Sequence, residues 1–73
     1  MKPEKFRFFY ESLQTIENKR NFRIAFLIEA QTCASTFNNY KKVNFIKVIP
    51  HLAAIKLIEI ANKLFPEHAH LLN

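Results

Sequence analysis

Between Leu52 and Phe65 only Lys56, Glu59, Asn62 and Lys63 are clearly polar, and at about 100° per residue these four fall in one narrow stripe. The others, Leu52, Ile55, Ile58 and Leu64 with Ala54, Leu57, Ile60, Ala61 and Phe65, wrap far more of a helical cylinder than the usual amphipathic face. Such a helix demands cover on two or three sides, and the remaining elements are expected to supply it. Near the start of the chain Phe6, Phe9, Tyr10, Leu13 and Ile16 recur at i, i+3, i+4, i+7 and i+10, which is a helical stripe. Phe8 projects about 130° from the centre of that stripe, among Glu11, Ser12 and Thr15, and is expected to be partly exposed. Pro3 followed by Glu4 suits the helix start, since proline is tolerated in the first turn and a carboxylate complements the dipole there.

The polar run Glu17 to Asn21 reads as the first turn, with Asn21 able to cap the next helix. Phe22, Ile24, Phe26 and Ile28 alternate as in a strand, whereas Phe26, Ala30, Cys33 and Phe37 space as in a helix. The length of the run favours a helix, on which Cys33 joins Ala30 and Ala34 as a small core residue. Asn38 and Asn39 mark the next break, asparagine being the best substitute for glycine in a left-handed cap. From Tyr40 to Ile49, Val43, Phe45, Ile46, Val48 and Ile49 oppose Lys41, Lys42, Asn44 and Lys47, a helix-like division with a strand over 43–49 as the competing reading. Pro50 then imposes a kink or opens a new helix from within its first turn. Pro66 stops the last helix, leaving 67–73 as a C-terminal tail whose Leu71 and Leu72 can fold back. The expected fold is all-α: one domain over 1–73, a three- to four-helix bundle with helices near 4–18, 22–37, 40–49 and 50–65 and antiparallel neighbours.

Composition narrows the chemistry. The chain has no glycine, so phosphate-cradling loops, Asn-Gly hairpins and glycine helix caps lose their usual signatures. It also has no aspartate, and six scattered glutamates offer little for a metal cage or a carboxylate dyad. The single Cys33 excludes an intramolecular disulfide. No apolar h-region follows Lys2, and no uninterrupted apolar run approaches the roughly 18 residues needed to cross a bilayer, so a cytoplasmic setting is expected.

The net charge of +5 points to an acidic partner, and its placement matters more than its sum. If a second helix of roughly 25 Å packs antiparallel to the first, Lys2, Lys5 and Arg7 lie at the same end as Lys41 and Lys42. Lys19, Arg20 and Arg23, joined by Lys63, then occupy the other end, with Glu59–Lys63 and Glu4–Arg7 expected as ion pairs. Phe22 beside Arg20 and Arg23, and Tyr40 beside Lys41, are basic-aromatic neighbours compatible with base stacking. His68 and His70 diverge by about 200° on a helix, so with His51 and Cys33 they make no metal set. Nucleophilic catalysis by Cys33 lacks an orienting acid or an oxyanion feature.

These residues lead to an expected function without cofactor or catalytic residues. The chain reads as a small protein-binding module, an adaptor, regulator or inhibitor of the size common among phage and mobile-element accessory proteins. The apolar surplus predicts a homodimer packed through its last or first helix. The predicted contact surface combines Phe8, Tyr40 and Phe45 with Lys41, Lys42 and Lys47 against an acidic or amphipathic protein. The alternative is a DNA- or RNA-binding regulator that uses Lys19, Arg20 and Arg23 twice across a dimer.

Overall fold

The computed structural model describes residues 1–42 and 47–72, and these form helices with no strand. The first, α1 (Pro3–Ser12), starts from an extended Lys2 with Pro3 in its opening turn. It places Phe6, Phe9 and Tyr10 inward, and Leu13 follows them into the core. It ends six residues before the expected boundary, because Gln14 adopts a left-handed backbone with φ 68°. Thr15 is extended and accepts a hydrogen bond from the Asn18 amide at 3.1 Å, which caps α2 (Ile16–Ala30).

The expected turn at 17–21 therefore lies inside a helix. Glu17, Arg20 and Asn21 face solvent, and a charged helical face is as polar along the chain as a loop. Thr15, not Asn21, is the cap, and Ile16, expected in the α1 stripe, begins α2 with 83% of its surface exposed. Residues 22–28 are helical, which resolves their strand-like alternation.

The expected helix over 22–37 is broken. Gln31 closes α2 with φ 51°, and the Gln31 and Thr32 amides both donate to the Leu27 carbonyl. Helix α3 (Ala34–Lys41) then folds back. In one continuous helix Phe26 and Phe37 would stand about 16 Å apart along the axis. Their ring centroids lie 5.6 Å apart. The same reversal sets Phe37 against Phe6 at 5.6 Å and Tyr10 at 5.7 Å, so α1 and α3 meet through aromatic rings. Asn38 and Asn39 do not break the chain, because Phe37 and Tyr40 are both buried and one helical turn joins them.

The expected helix over 40–49 is not formed as such. Tyr40 and Lys41 end α3, Val43 to Ile46 lie outside the described residues, and Lys47 to Pro50 are not helical. Ile49 is fully buried and exchanges two backbone hydrogen bonds with Met1, at 2.8 and 3.4 Å. Pro50 immediately precedes α4 (His51–Leu64), which ends at Phe65 as Pro66 requires. The C-terminal segment folds back through a short 3-10 helix (Ala69–Leu71), burying Ala69 and Leu72.

The core is one cluster in which Phe6, Phe9, Phe22, Phe26 and Phe37 meet Leu57, Ile60 and Ala61 of α4. Phe22 touches Phe9 at 5.1 Å and Phe65 at 6.4 Å, tying α2 to both α1 and the end of α4. Cover on α4, from α2 and the 3-10 helix, is partial. Ala54, Leu57, Ile60 and Ala61 are buried, whereas Leu52 is 78% and Ile55 38% exposed. Among the described residues no helix is long and apolar enough to cross a membrane.

Candidate functional site

The meeting of α1 and α3 produces the most differentiated surface. Arg7 Nη1 donates to the Lys42 carbonyl at 2.9 Å, which links α1 to the end of α3. At the middle of this face stands Tyr10, whose hydroxyl donates to the Lys19 carbonyl at 3.3 Å. Lys41 Nζ lies 5.0 Å from the centre of the Tyr10 ring and 5.7 Å from that of Phe37, and Lys19 Nζ approaches Tyr10 at 5.7 Å. Burial raises the Tyr10 hydroxyl above its ordinary pKa; the positive field of Arg23 opposes this and the Glu11 carboxylate adds to it.

Beside Tyr10 a shallow hollow of about 420 Å³ is bordered by Glu4, Arg7, Phe8, Glu11 and Lys41. Phe8 stands on its edge, 68% exposed, as its position off the α1 stripe predicts. Two carboxylates temper the basic rim, with Glu4 3.9 Å from Arg7 and Glu11 3.1 Å from Lys19.

This geometry redistributes the residues expected to bind. Phe8, Lys41 and Lys42 share the α1–α3 face. Tyr40 does not: it is only 7% exposed and packs edge-on against Phe26 at 6.4 Å, because the reversal after Gln31 turns it inward. Burial raises its pKa as well. Phe45 lies outside the described residues, and Lys47 is exposed. The two expected basic ends are not separate, since Lys19 and Lys41 flank one ring once α1 stops at Ser12 and α3 folds back. Arg20 is exposed and Arg23 half-buried, and neither forms an ion pair among the described residues. Lys63 pairs with Glu29 at 2.8 Å instead of with Glu59, and Glu59 pairs with Lys56 at 3.4 Å.

Periodicity did not reveal two further features. A cleft of about 500 Å³ opens between α2, α3 and α4, lined by Phe26, Ala30, Tyr40, Ala53 and Ile55 with Leu52 at its border. It exists only because α3 reverses, so no local pattern marks it. Cys33 is the second. Instead of packing in the core it sits exposed at the start of α3, because the helix it was expected to continue has ended. Its sulfur lies 3.0 Å from Ser35 Oγ and 3.4 Å from Thr36 Oγ1. These hydroxyls, Ser35 foremost, lower the thiol pKa to about 6. His68 is engaged elsewhere, with Nδ1 3.2 Å from Ser12 Oγ. Among the described residues no three His, Cys or Glu side chains gather as a metal set. Comparison with protein-family models, with curated proteins and with solved structures finds no match to this chain.

Proposed function

We propose that this chain acts by binding another protein, without chemistry of its own, and that the α1–α3 face is its contact surface. The observation that carries this reading is Phe8, an aromatic ring left 68% exposed beside a hollow rimmed by Arg7 and Lys41. Exposed rings of this kind supply contact energy, and a basic rim steers an acidic partner and sets its orientation. An acidic, amphipathic protein segment fits, with apolar groups for Phe8 and carboxylates for Arg7, Lys41 and Lys42. The role is that of an adaptor, regulator or inhibitor.

The test is affinity capture from the host with the native chain, Phe8→Ala and the double variant Lys41→Glu, Lys42→Glu. Phe8→Ala should weaken a captured complex by about 2 kcal/mol, or roughly 30-fold, with helicity unchanged. Capture that survives both variants refutes the α1–α3 face as the contact surface.

A second reading, a DNA- or RNA-binding regulator, is favoured by Arg20 and Arg23, whose charges are not balanced by ion pairs among the described residues. Three phosphate contacts by Lys19, Arg20 and Arg23 imply that affinity for a short duplex falls about 40-fold between 50 and 200 mM salt. A salt-insensitive complex, or none, removes this reading.

A further inference from the structure

We infer that the partner segment docks on the α1–α3 face as a helix, with one large apolar side chain against Phe8 and carboxylates three and four positions further along, toward Lys41 and Lys42. This rests on the protein-binding reading of that face and adds the conformation and residue spacing of what it binds. Two hollows of about 420 and 460 Å³ adjoin there, sharing Tyr10, Glu11 and Lys41. Phe8 borders the first and Lys42 the second. From Glu4 to Glu11 the bordering stretch of α1 spans about 10 Å, two turns of a helix. An extended peptide of the strand-adding kind needs a backbone edge to pair with. The described residues contain no strand, and the Lys42 carbonyl is already taken by Arg7. A helix brings its own backbone hydrogen bonds and presents side chains alone.

The order of chemistry along the face sets the spacing. Phe8, 68% exposed, is the apolar contact beside the first hollow. Lys41 borders both hollows, with its ammonium 5.0 Å from the centre of the Tyr10 ring and 5.7 Å from that of Phe37. The rings hold this cation before a partner arrives, so pairing costs less side-chain freedom. On a helix, residues three and four apart stand about 5–6 Å apart on one face. Carboxylates at i+3 and i+4 therefore reach past the first hollow while the apolar residue at i covers Phe8. Charge balance selects a few placed carboxylates over a polyanion. Glu4 and Glu11 also border the hollows and are matched by Arg7 at 3.9 Å and Lys19 at 3.1 Å. Lys41 and Lys42 enter no ion pair among the described residues. Two cations are left for a partner to match, whereas a chain with an anion at every residue meets the two glutamates as well.

Fluorescence anisotropy of the full chain with three labelled peptides of about 15 residues tests it. The first is a helix-forming sequence with a leucine at its middle and glutamates at i+3 and i+4 from it. The second has the same composition, with the glutamates moved to i+2 and i+5, off the face of the leucine. The third is the first with a proline within its central turn. The first should bind the native chain, and the other two should bind about tenfold or more weakly. Lys41→Gln combined with Lys42→Gln should bring the first peptide to the affinity of the second, and Phe8→Ala should weaken the first peptide, both with circular dichroism unchanged. Equal binding of all three peptides that still depends on Phe8 and Lys41 overturns the helical partner and leaves α1–α3 as the contact surface. Binding of the first peptide that none of these substitutions alters overturns both, because the contact then lies elsewhere. Binding by none of the three also overturns the helical partner, and capture from the host then decides the face independently.

Discussion

Truncating Phe37 to alanine tests the aromatic junction on which the reversal of α3 depends. The Phe37 ring is fully buried and lies 5.6 Å from Phe6, 5.7 Å from Tyr10, 6.3 Å from Phe22 and 5.6 Å from Phe26. These four rings belong to α1 and α2, so the resulting cavity cannot close without moving both helices. Such truncations cost about 3–5 kcal/mol. A domain of this length has a total stability of about 4–11 kcal/mol. Phe37→Ala should therefore remove a large share of the folding free energy. With a urea slope of about 1 kcal/mol/M, the unfolding midpoint should fall by roughly 3 M or more, or the chain should already be unfolded in buffer. Phe37→Leu retains most of the volume and should cost about 1 kcal/mol, which keeps the comparison measurable if the alanine variant does not fold. Phe8→Ala, the same residue type but exposed on α1, should stay within about 0.5 kcal/mol of the native chain. Urea unfolding followed by far-ultraviolet circular dichroism reads all three. A loss below about 1 kcal/mol for Phe37→Ala, or equal losses for Phe37→Ala and Phe8→Ala, would refute the assignment of Phe37 as the junction of α1, α2 and α3.

Three further outcomes are expected. Gln31→Gly should stabilise the chain by about 0.5–1 kcal/mol in thermal or urea unfolding, because glycine adopts the left-handed backbone at φ 51° without the steric cost that glutamine bears; an unchanged or lower midpoint would contradict this. The Cys33 thiol should be alkylated by iodoacetamide with a pH midpoint near 6, and Ser35→Ala should move the midpoint upward; a midpoint near that of a free thiol, about 8.5, would remove the role of the two hydroxyls. The hydrogen bond from Lys63 lowers the Glu29 pKa, so the stability it contributes is present above the ordinary carboxylate range and is lost as pH falls through the depressed value. Lys63→Met should therefore flatten the acid limb of the melting temperature plotted against pH, and an unchanged limb would show that the pair contributes nothing.

Much of the α1–α3 face was readable in residue spacing, because whether a side chain lies on or off a helical stripe is a local property. Phe8 is exposed for the reason its phase indicates, and Lys41 of α3 borders the same hollow. Tyr40 and Cys33 exchanged their expected environments for a single reason, the break at Gln31, which buries the tyrosine and exposes the thiol. The paired Phe22/Ile24 and Phe26/Ile28 positions were ambiguous because two periods share them; the helix buries Phe22 and Phe26 and leaves Ile24 and Ile28 exposed.

The sequence by itself determined the helical class, the inward set Phe6, Phe9, Tyr10 and Leu13, the end of the last helix at Pro66 and the return of Leu72. Helical phase and proline's missing donor act over a few residues and leave their mark locally. Only the tertiary structure decided where α1 and α2 stop. Without glycine to mark a left-handed position, the chain turns at Gln14 and Gln31, whose side chains give no local sign of it. The breaks are set by distant partners: Phe37 reaches Phe6, Tyr10 and Phe26 together only if the helix that could have continued through Cys33 ends at Ala30. That reversal also creates the cleft beside Leu52 and brings Lys41 over Tyr10, which is why both surfaces depend on contacts far apart in the chain.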